Sequence, residues 1–172
     1  MNIVQLRKCD IANGPGVRVS MFVAGCHKAC KNCFNSCAKS FNAGELVTKE
    51  VEERIFASVD KPHITGLSLL GGDPAAPENQ RDLVPFLHRF RERFGDKKSI
   101  WCWSGYVYET ELIAPDGIGH CEATEEFLSL IDVLVDGPYV DEKRDLTLKF
   151  RGSSNQRILK LHPSVEDISK HI

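Results

Sequence analysis

The stretch VRVSMFVAGCHKACKNCF, residues 17–34, decides the fold of this chain. Residues 17–24 are apolar and rich in β-branched side chains, which predicts a buried strand. The sequence NGPG at residues 13–16 predicts a turn before this strand. Three cysteines with C-x3-C-x2-C spacing follow it: Cys26, Cys30 and Cys33. We therefore expect the cysteines in the loop that follows a buried strand.

Three clustered thiolates can hold three corners of one iron–sulfur cubane. A [4Fe–4S] cluster normally has four cysteine ligands, so three would leave one iron open for an exogenous group. A structural zinc site would need a fourth ligand, for which Cys37 or His27 is available. A closed electron-transfer cluster would use Cys37, although Ala38 follows it where the bacterial ferredoxin motif has proline. The spacing alone leaves these three kinds of site open.

The composition is that of a globular protein. The chain has 172 residues, 42% hydrophobic and 27% charged, for which we expect one domain over residues 1–172. A formal net charge of −2 lacks the basic excess of nucleic-acid-binding proteins. With no apolar run for a membrane span and no signal sequence, we expect a cytoplasmic protein. Seven cysteines, an odd number, favour metal or redox chemistry over a disulfide framework.

Apolar strands alternate with helices after the cysteine loop. Strands are predicted at residues 65–70, 99–103, 133–135 and 157–161. Helices are predicted at residues 45–59, 79–94, 108–113 and 122–130. Pro85 is expected to delay or kink the second helix. The alternation indicates an α/β fold with a mostly parallel sheet of five or six β/α units. Because a complete eight-stranded barrel needs about 250 residues, we expect an open doubly wound sheet or an incomplete TIM-type barrel.

Short polar or glycine-containing segments follow the predicted strands: Gly71-Gly72-Asp73, Ser104-Gly105-Tyr106 and Asp136-Gly137. Since the carboxyl ends of parallel strands meet at one edge of a sheet, we expect these segments beside the cysteine loop. Gly71 and Gly72 would let the backbone approach a ligand closely. Asp73 offers a carboxylate to an ammonium group. Ser104 is either a ligand contact or the cap of a strand end.

The cysteine motif is followed by the aromatic Phe34 and, one strand later, by GGDP at residues 71–74. This combination resembles the radical S-adenosylmethionine (SAM) enzymes. Within that family, NGPGVR at residues 13–18 resembles the activases of glycyl-radical enzymes. The chain is most similar to the activating proteins of class III anaerobic ribonucleoside-triphosphate reductases, over residues 10–18, 69–77, 100–106 and 133–156. RGSSNQ, residues 151–156, best separates this group from the longer pyruvate formate-lyase activases.

The resemblance implies an incomplete TIM-type β/α barrel of the radical SAM type and an activase reaction. Cys26, Cys30 and Cys33 would hold a [4Fe–4S] cluster whose open iron binds SAM. One electron from the reduced cluster would cleave SAM into methionine and a 5′-deoxyadenosyl radical. That radical would take hydrogen from a glycine of the reductase. The protein would position and shield these cofactors.

The resemblance also assigns residues and partners. The implied SAM-binding residues are Asn32, Phe34, Gly71, Gly72, Asp73 and Ser104. Gly14, Gly16 and Arg18 would either receive the glycine loop of the partner, the catalytic subunit of anaerobic ribonucleotide reductase, or have a local structural role. Flavodoxin is the expected reductant. Asp136 matches a position that lies near a bound cation in related activases, although we favour a simple turn here.

Three other functions remain open from the sequence. One is activation of a different glycyl-radical enzyme, such as pyruvate formate-lyase. The others are electron transfer by a small iron–sulfur protein and a zinc-stabilised interaction module. Of the remaining cysteines, Cys102 lies between two tryptophans in a predicted strand and is expected to be buried. No role in the cluster is expected for Cys37, and Cys9 and Cys121 have no identified partner.

Overall fold

A seven-stranded sheet organises the computed structural model, which describes residues 1–162. The strands are β1 (Asn2–Asp10), β2 (Val17–Val23), β3 (Glu45–Leu46), β4 (Ile64–Gly71), β5 (Ser99–Trp103), β6 (Val133–Asp136) and β7 (Arg157–Lys160). Their order across the sheet is β3-β1-β2-β4-β5-β6-β7. The strands β2, β4, β5 and β6 are parallel, whereas β1, β3 and β7 pair antiparallel to their neighbours. The sheet is therefore open, with a parallel centre.

Helical connections join the parallel strands. They contain α1 (Lys49–Val59), α2 (Pro77–Phe94), a π-helical turn (Tyr108–Leu112) and α3 (Thr124–Ser129). Short 3-10 turns occur at Ser36–Ala38, Gly95–Lys97 and Asp141–Lys143. Within residues 1–162, no helix is long and apolar enough to cross a membrane.

The predicted alternation of strands and helices is confirmed, but the number of units is smaller than expected. In the described part of the chain, β2 to β4, β4 to β5 and β5 to β6 are the only parallel connections. The expectation of five or six β/α units is therefore wrong. The strands β1, β3 and β7 are antiparallel and lie at the edges of the sheet. Neither β1 nor β3 has the continuous apolar pattern from which a strand is recognised in the sequence.

Two predicted helix starts differ from the structure. Residues 45–46 form the edge strand β3, and α1 begins only after Thr48, whose side chain accepts a hydrogen bond from the Val51 N–H (3.4 Å). The helix α2 begins at Pro77 and continues through Pro85, so the predicted delay is wrong. Proline suits the first turn of a helix, and buried side chains on both sides of Pro85 hold the remainder in place.

The two faces of the sheet bury different side chains. Along β2 and β4, alternate residues such as Val19, Met21, Leu67 and Leu69 join the core that contains the buried faces of the helices. The other face carries a smaller cluster of Trp101, Val133 and Val135, against which Trp103, Phe150 and Ile158 pack.

Arg18 lies fully buried on the face opposite the helices, in contact with the Trp101 ring (5.8 Å). Its Nε donates to Ser68 Oγ (2.7 Å), and its Nη1 donates to Ser99 Oγ (3.0 Å). Its Nη2 donates to the carbonyl oxygens of Leu67 and Ser99, both at 2.8 Å. Burial lowers the pKa of Arg18 to about 9, so the guanidinium stays charged at neutral pH. This side chain ties β2 to β4 and β5.

Replacing Arg18 with methionine should lower the free energy of unfolding by about 3 kcal/mol. The physical reason is that the variant leaves buried carbonyl and hydroxyl acceptors without a donor. Urea unfolding followed by tryptophan fluorescence measures the change. The matched control is Lys8→Met on the exposed side of β1, which should change stability by less than about 0.5 kcal/mol. Equal stability of the two variants would contradict the structural role of Arg18.

Candidate functional site

A cavity of about 380 Å³ opens at the carboxyl ends of the parallel strands. Its walls come from segments that are far apart in sequence. They include the cysteine loop, Leu70–Asp73, Trp103–Gly105, Gly137, Tyr139 and parts of residues 148–156. The expectation that the segments after the strands share one edge is confirmed by this lining.

Cys26, Cys30 and Cys33 all line this cavity as free, partly exposed thiols. Burial, the negative charge of Asp73 and the other two thiols raise the pKa of Cys26 to about 11, so metal binding must displace its proton. Cys37 is exposed on a 3-10 turn and does not line the cavity. Within residues 1–162, no three His, Cys, Asp or Glu side chains are gathered closely enough to hold a single metal ion.

Gly71 and Gly72 pack against the backbone that enters the cysteine loop. A Cβ on Gly71, which has φ +116°, would lie 2.3 Å from the Val23 carbonyl oxygen. A Cβ on Gly72 would lie 2.3 Å from the Gly25 carbonyl oxygen. The Gly72 N–H donates to Val23 O and the Asp73 N–H to Gly25 O, both at 2.8 Å. The close approach predicted for this pair is therefore made to the protein's own backbone, while both glycines also line the cavity.

Asp73 connects two of the segments that follow strands. It is 1% exposed, and its Oδ1 accepts from the Ala75 N–H (3.0 Å) and its Oδ2 from the Gly105 N–H (2.9 Å). Burial raises the pKa of Asp73 to about 6, against the opposing effect of hydrogen bonds and of Lys28. The carboxylate thus borders the cavity while it holds the segments after β4 and β5 together.

Ser104 and Lys28 stand on either side of this carboxylate. The Ser104 Oγ accepts from the Tyr106 N–H (3.0 Å), which is the strand-end cap considered from the sequence, and the residue also lines the cavity. Lys28 Nζ donates to Glu111 Oε1 (2.7 Å) and lies 4.5 Å from the centre of the Tyr106 ring. Sequence reasoning missed Lys28, because its partner Glu111 is 83 residues away.

The second half of the cysteine loop contacts the segment after β6. Asn32, with φ +56°, donates from Nδ2 to Asp141 Oδ2 (2.7 Å). Asn32 itself does not line the cavity. Phe34 lines the cavity and is 69% exposed. Its ring meets the Tyr139 ring edge-on at 5.3 Å, and the Arg144 guanidinium lies 5.7 Å from its centre. These contacts place the loop against the chain between β6 and β7.

The wall formed by residues 148–156 was not assigned to the site from sequence. The cavity-lining residues here are Leu148, Phe150, Arg151, Gly152 and Gln156. Gln156 Oε1 accepts from the Gly152 N–H (2.8 Å), and its Nε2 donates to the Gly137 carbonyl oxygen (3.2 Å). Hydrogen bonds from polar side chains fix the conformation of this segment. Its sequence therefore lacks the hydrophobic periodicity by which a helix or strand is recognised. The RGSSNQ sequence was the available signal.

Of the residues proposed for partner binding, Gly14 and Arg18 are buried and Gly16 is exposed. Arg18 is 0% exposed, and this corrects the expectation that its side chain receives a partner's loop. Gly14, with φ +106°, packs on the Arg18 side chain, because an added Cβ would lie 2.9 Å from Arg18 Cδ. A Cβ on Gly16 would lie 2.5 Å from the Thr65 side chain. This turn therefore fits closely against its own protein.

Asp136 is 1% exposed at the end of β6. Its Oδ1 accepts from Arg157 Nε (3.0 Å) and its Oδ2 from the Tyr108 N–H (2.9 Å). Its cationic neighbour is thus the Arg157 guanidinium, and Gly137 with φ +97° begins the expected turn.

The remaining cysteines lie outside the cavity. Cys102 is buried in β5, as predicted. Cys9 is exposed on β1, and Cys121 Sγ lies 3.5 Å from Gln80 Oε1.

Known proteins resemble this chain over most of its length. Residues 12–159 match the family described as a 4Fe-4S single cluster domain. An anaerobic ribonucleoside-triphosphate reductase-activating protein of Haemophilus influenzae is 39% identical over 160 residues, 92% of this chain and 97% of that protein. The protein of the same name from Escherichia coli K12 is 39% identical over 158 residues, covering 91% and 96%. The one from Enterobacteria phage T4 is 36% identical over 159 residues, covering 92% and 93%.

Gly72→Ala should destabilise the protein by about 2–3 kcal/mol, because the new methyl group would collide with the Gly25 backbone. The measurement is urea unfolding of the cluster-free protein. Gly105→Ala is the matched control, since its nearest contact is the flexible Lys28 side chain at 3.2 Å, and it should cost less than about 1 kcal/mol. A Gly72→Ala variant as stable as the control would show that the close contact between Gly72 and the Gly25 backbone is not required for stability.

Asp73→Asn should change how stability depends on pH. Between pH 3.8 and about 6 the folded state retains a proton on Asp73 that the unfolded state releases. The contribution of this carboxyl to stability therefore falls as the pH rises through that window, by about 3 kcal/mol. Urea unfolding of the cluster-free wild-type and variant proteins at several pH values should show their stability difference changing by this amount. Parallel pH profiles would contradict the raised pKa.

Proposed function

Because this chain belongs to the family of anaerobic ribonucleoside-triphosphate reductase-activating proteins, we propose that it is a radical SAM activase. In this proposal the protein cleaves SAM reductively at a [4Fe–4S] cluster. It thereby generates a glycyl radical on the catalytic subunit of anaerobic ribonucleotide reductase. Flavodoxin is the proposed reductant, and the cytoplasm is the proposed location.

The observation that carries the proposal is the set of thiols in the cavity. Among the residues that the structure describes, three cysteines line it and no fourth does. Sulfur is the donor that iron–sulfur clusters use, and three sulfurs fit a cubane that keeps one iron open. When bound, such a cluster supplies a coordination position for SAM and the electron for its cleavage. The cavity holds about 380 Å³ beside these thiols, within the range of small-molecule sites.

The other residues of the site would bind and orient SAM. Gly71, Gly72 and Asp73 are proposed for its methionine end, where the buried Asp73 carboxylate favours an ammonium group. Phe34 and the backbone at Asn32 are proposed to face the adenine, with Ser104 beside the ribose or carboxylate. The contact of residues 32–34 with the 139–144 segment would hold this part of the loop in place.

The open sheet supports a macromolecular substrate. The cavity lies at the edge where the parallel strands end and the antiparallel β7 begins, and no further strand closes the sheet within residues 1–162. We propose an incomplete barrel of the radical SAM type, formed by a single domain over residues 1–172, whose open side admits the glycine loop of the reductase.

Cysteine variants test the ligand set. Cys30→Ala should lose most of the iron after anaerobic reconstitution, whereas Cys37→Ala should retain about four irons per chain. The electron paramagnetic resonance spectrum of the reduced wild-type and Cys37→Ala proteins should change shape when SAM is added, because SAM binds the open iron. Iron and sulfide analysis accompanies each spectrum.

The same experiment distinguishes the alternatives. Loss of the cluster in Cys37→Ala, together with a wild-type spectrum that does not change when SAM is added, would indicate an electron-transfer protein with a closed cluster. Bound zinc without iron would indicate a zinc-stabilised module. The partner is tested by adding SAM and reduced flavodoxin to the reductase subunit, with pyruvate formate-lyase as the control. A glycyl radical signal on the reductase alone is expected, and a signal on pyruvate formate-lyase alone would contradict the proposed partner.

A further inference from the structure

Three charged residues line the cavity: Lys28, Asp73 and Arg151. Two of them have strong partners within the protein. The Lys28 ammonium is paired with Glu111 (2.7 Å). The Asp73 carboxylate accepts hydrogen bonds from two backbone N–H groups. Arg151 is therefore the remaining charged group of the cavity.

The Arg151 guanidinium has few partners. Its Nη1 donates to the Gln156 carbonyl oxygen (3.2 Å), and its Nε is buried without a hydrogen-bond partner. Across residues 1–162, no carboxylate forms an ion pair with it. A guanidinium has five N–H donors arranged as a planar fork, and a buried donor that stays unpaired is unfavourable. The described residues therefore supply no acceptor for the Arg151 Nε.

Most hydrogen bonds of the surrounding segment do not involve Arg151. Gln156 accepts from the backbone of Gly152 and donates to Gly137, and Asn155 Nδ2 donates to the Pro138 carbonyl oxygen (2.8 Å). The buried Ser153 Oγ accepts from the Val140 N–H (3.2 Å). These bonds hold the chain between β6 and β7 and leave the Arg151 side chain available at the cavity wall.

We infer that Arg151 binds the carboxylate of the methionine moiety of SAM, an inference that rests on the proposed function. SAM carries one anionic group, its carboxylate, together with an ammonium and a sulfonium. A guanidinium fork matches a planar carboxylate. A carboxylate accepts several hydrogen bonds on two oxygens, so binding by Arg151 is compatible with a second contact at the open iron. Asp73 and Arg151 then provide opposite charges for the ammonium and carboxylate groups, which are attached to the same carbon atom of SAM.

The test compares SAM with decarboxylated SAM, which lacks only the anionic group. Arg151→Gln should weaken SAM binding about 30-fold, the size of effect expected for a charge-assisted pair. Binding of decarboxylated SAM should stay unchanged or tighten, because the variant removes a positive charge near a cationic ligand. Equilibrium dialysis of the anaerobically reconstituted, unreduced holoprotein measures both affinities without turnover. Arg151→Lys should recover part of the SAM affinity, since it keeps the charge but not the fork.

Lys149→Gln is the matched control, because it removes an exposed positive charge two residues away and outside the cavity. It should change neither affinity. Equal weakening of both ligands by Arg151→Gln, or no weakening of SAM, would overturn the inference while the proposed function stands. If only the affinity for the reductase subunit falls, the anion belongs to the partner polypeptide and the inference is likewise wrong. Failure of the wild-type holoprotein to bind SAM would instead overturn the proposed function.

Discussion

The backbone contact between Gly72 and Gly25 is the constraint on which the site depends. It brings the chain after β4 to within hydrogen-bonding distance of the chain after β2, at the point where the cysteine loop begins. The Cβ of any side chain at Gly72 would lie only 2.3 Å from the Gly25 carbonyl oxygen. The cysteine loop therefore starts from a firmly packed base, although its other half is held mainly by polar and aromatic contacts with residues 139–144.

Two buried charges help to position the strands and their loops. Asp73 has its two oxygens on backbone N–H groups of different segments, and its raised pKa shows how much burial disfavours its ionised form. Arg18 makes a similar connection near the amino ends of the parallel strands, where it joins β2 to β4 and β5. Burial of either charge is costly unless its hydrogen bonds are made. The bonds of Asp73 and Arg18 therefore specify how the strands and their loops are placed.

The parallel centre of the sheet was predictable because its strands are continuous apolar runs bounded by glycine and proline. The antiparallel edges were not, since β1 alternates exposed and buried residues irregularly and β3 has only two residues, both exposed. The burial of Arg18 beside the NGPG turn was not predictable, because an isolated arginine carries no sequence signal of burial. Its acceptors Leu67 and Ser99 are supplied by other strands, 49 and 81 residues away.

The sequence by itself determined the chemistry of the donors, because the spacing of Cys26, Cys30 and Cys33 is local and confines three thiols to one loop. It also determined that the GGD and SGY segments end parallel strands, and hence that they meet this loop. Only the tertiary structure decided the opposite wall of the cavity. The pairing of Lys28 with Glu111 depends on the order of the strands. The position of Arg151, which has no carboxylate partner among the described residues, depends on the polar segment before β7. Neither leaves a periodic pattern in the sequence.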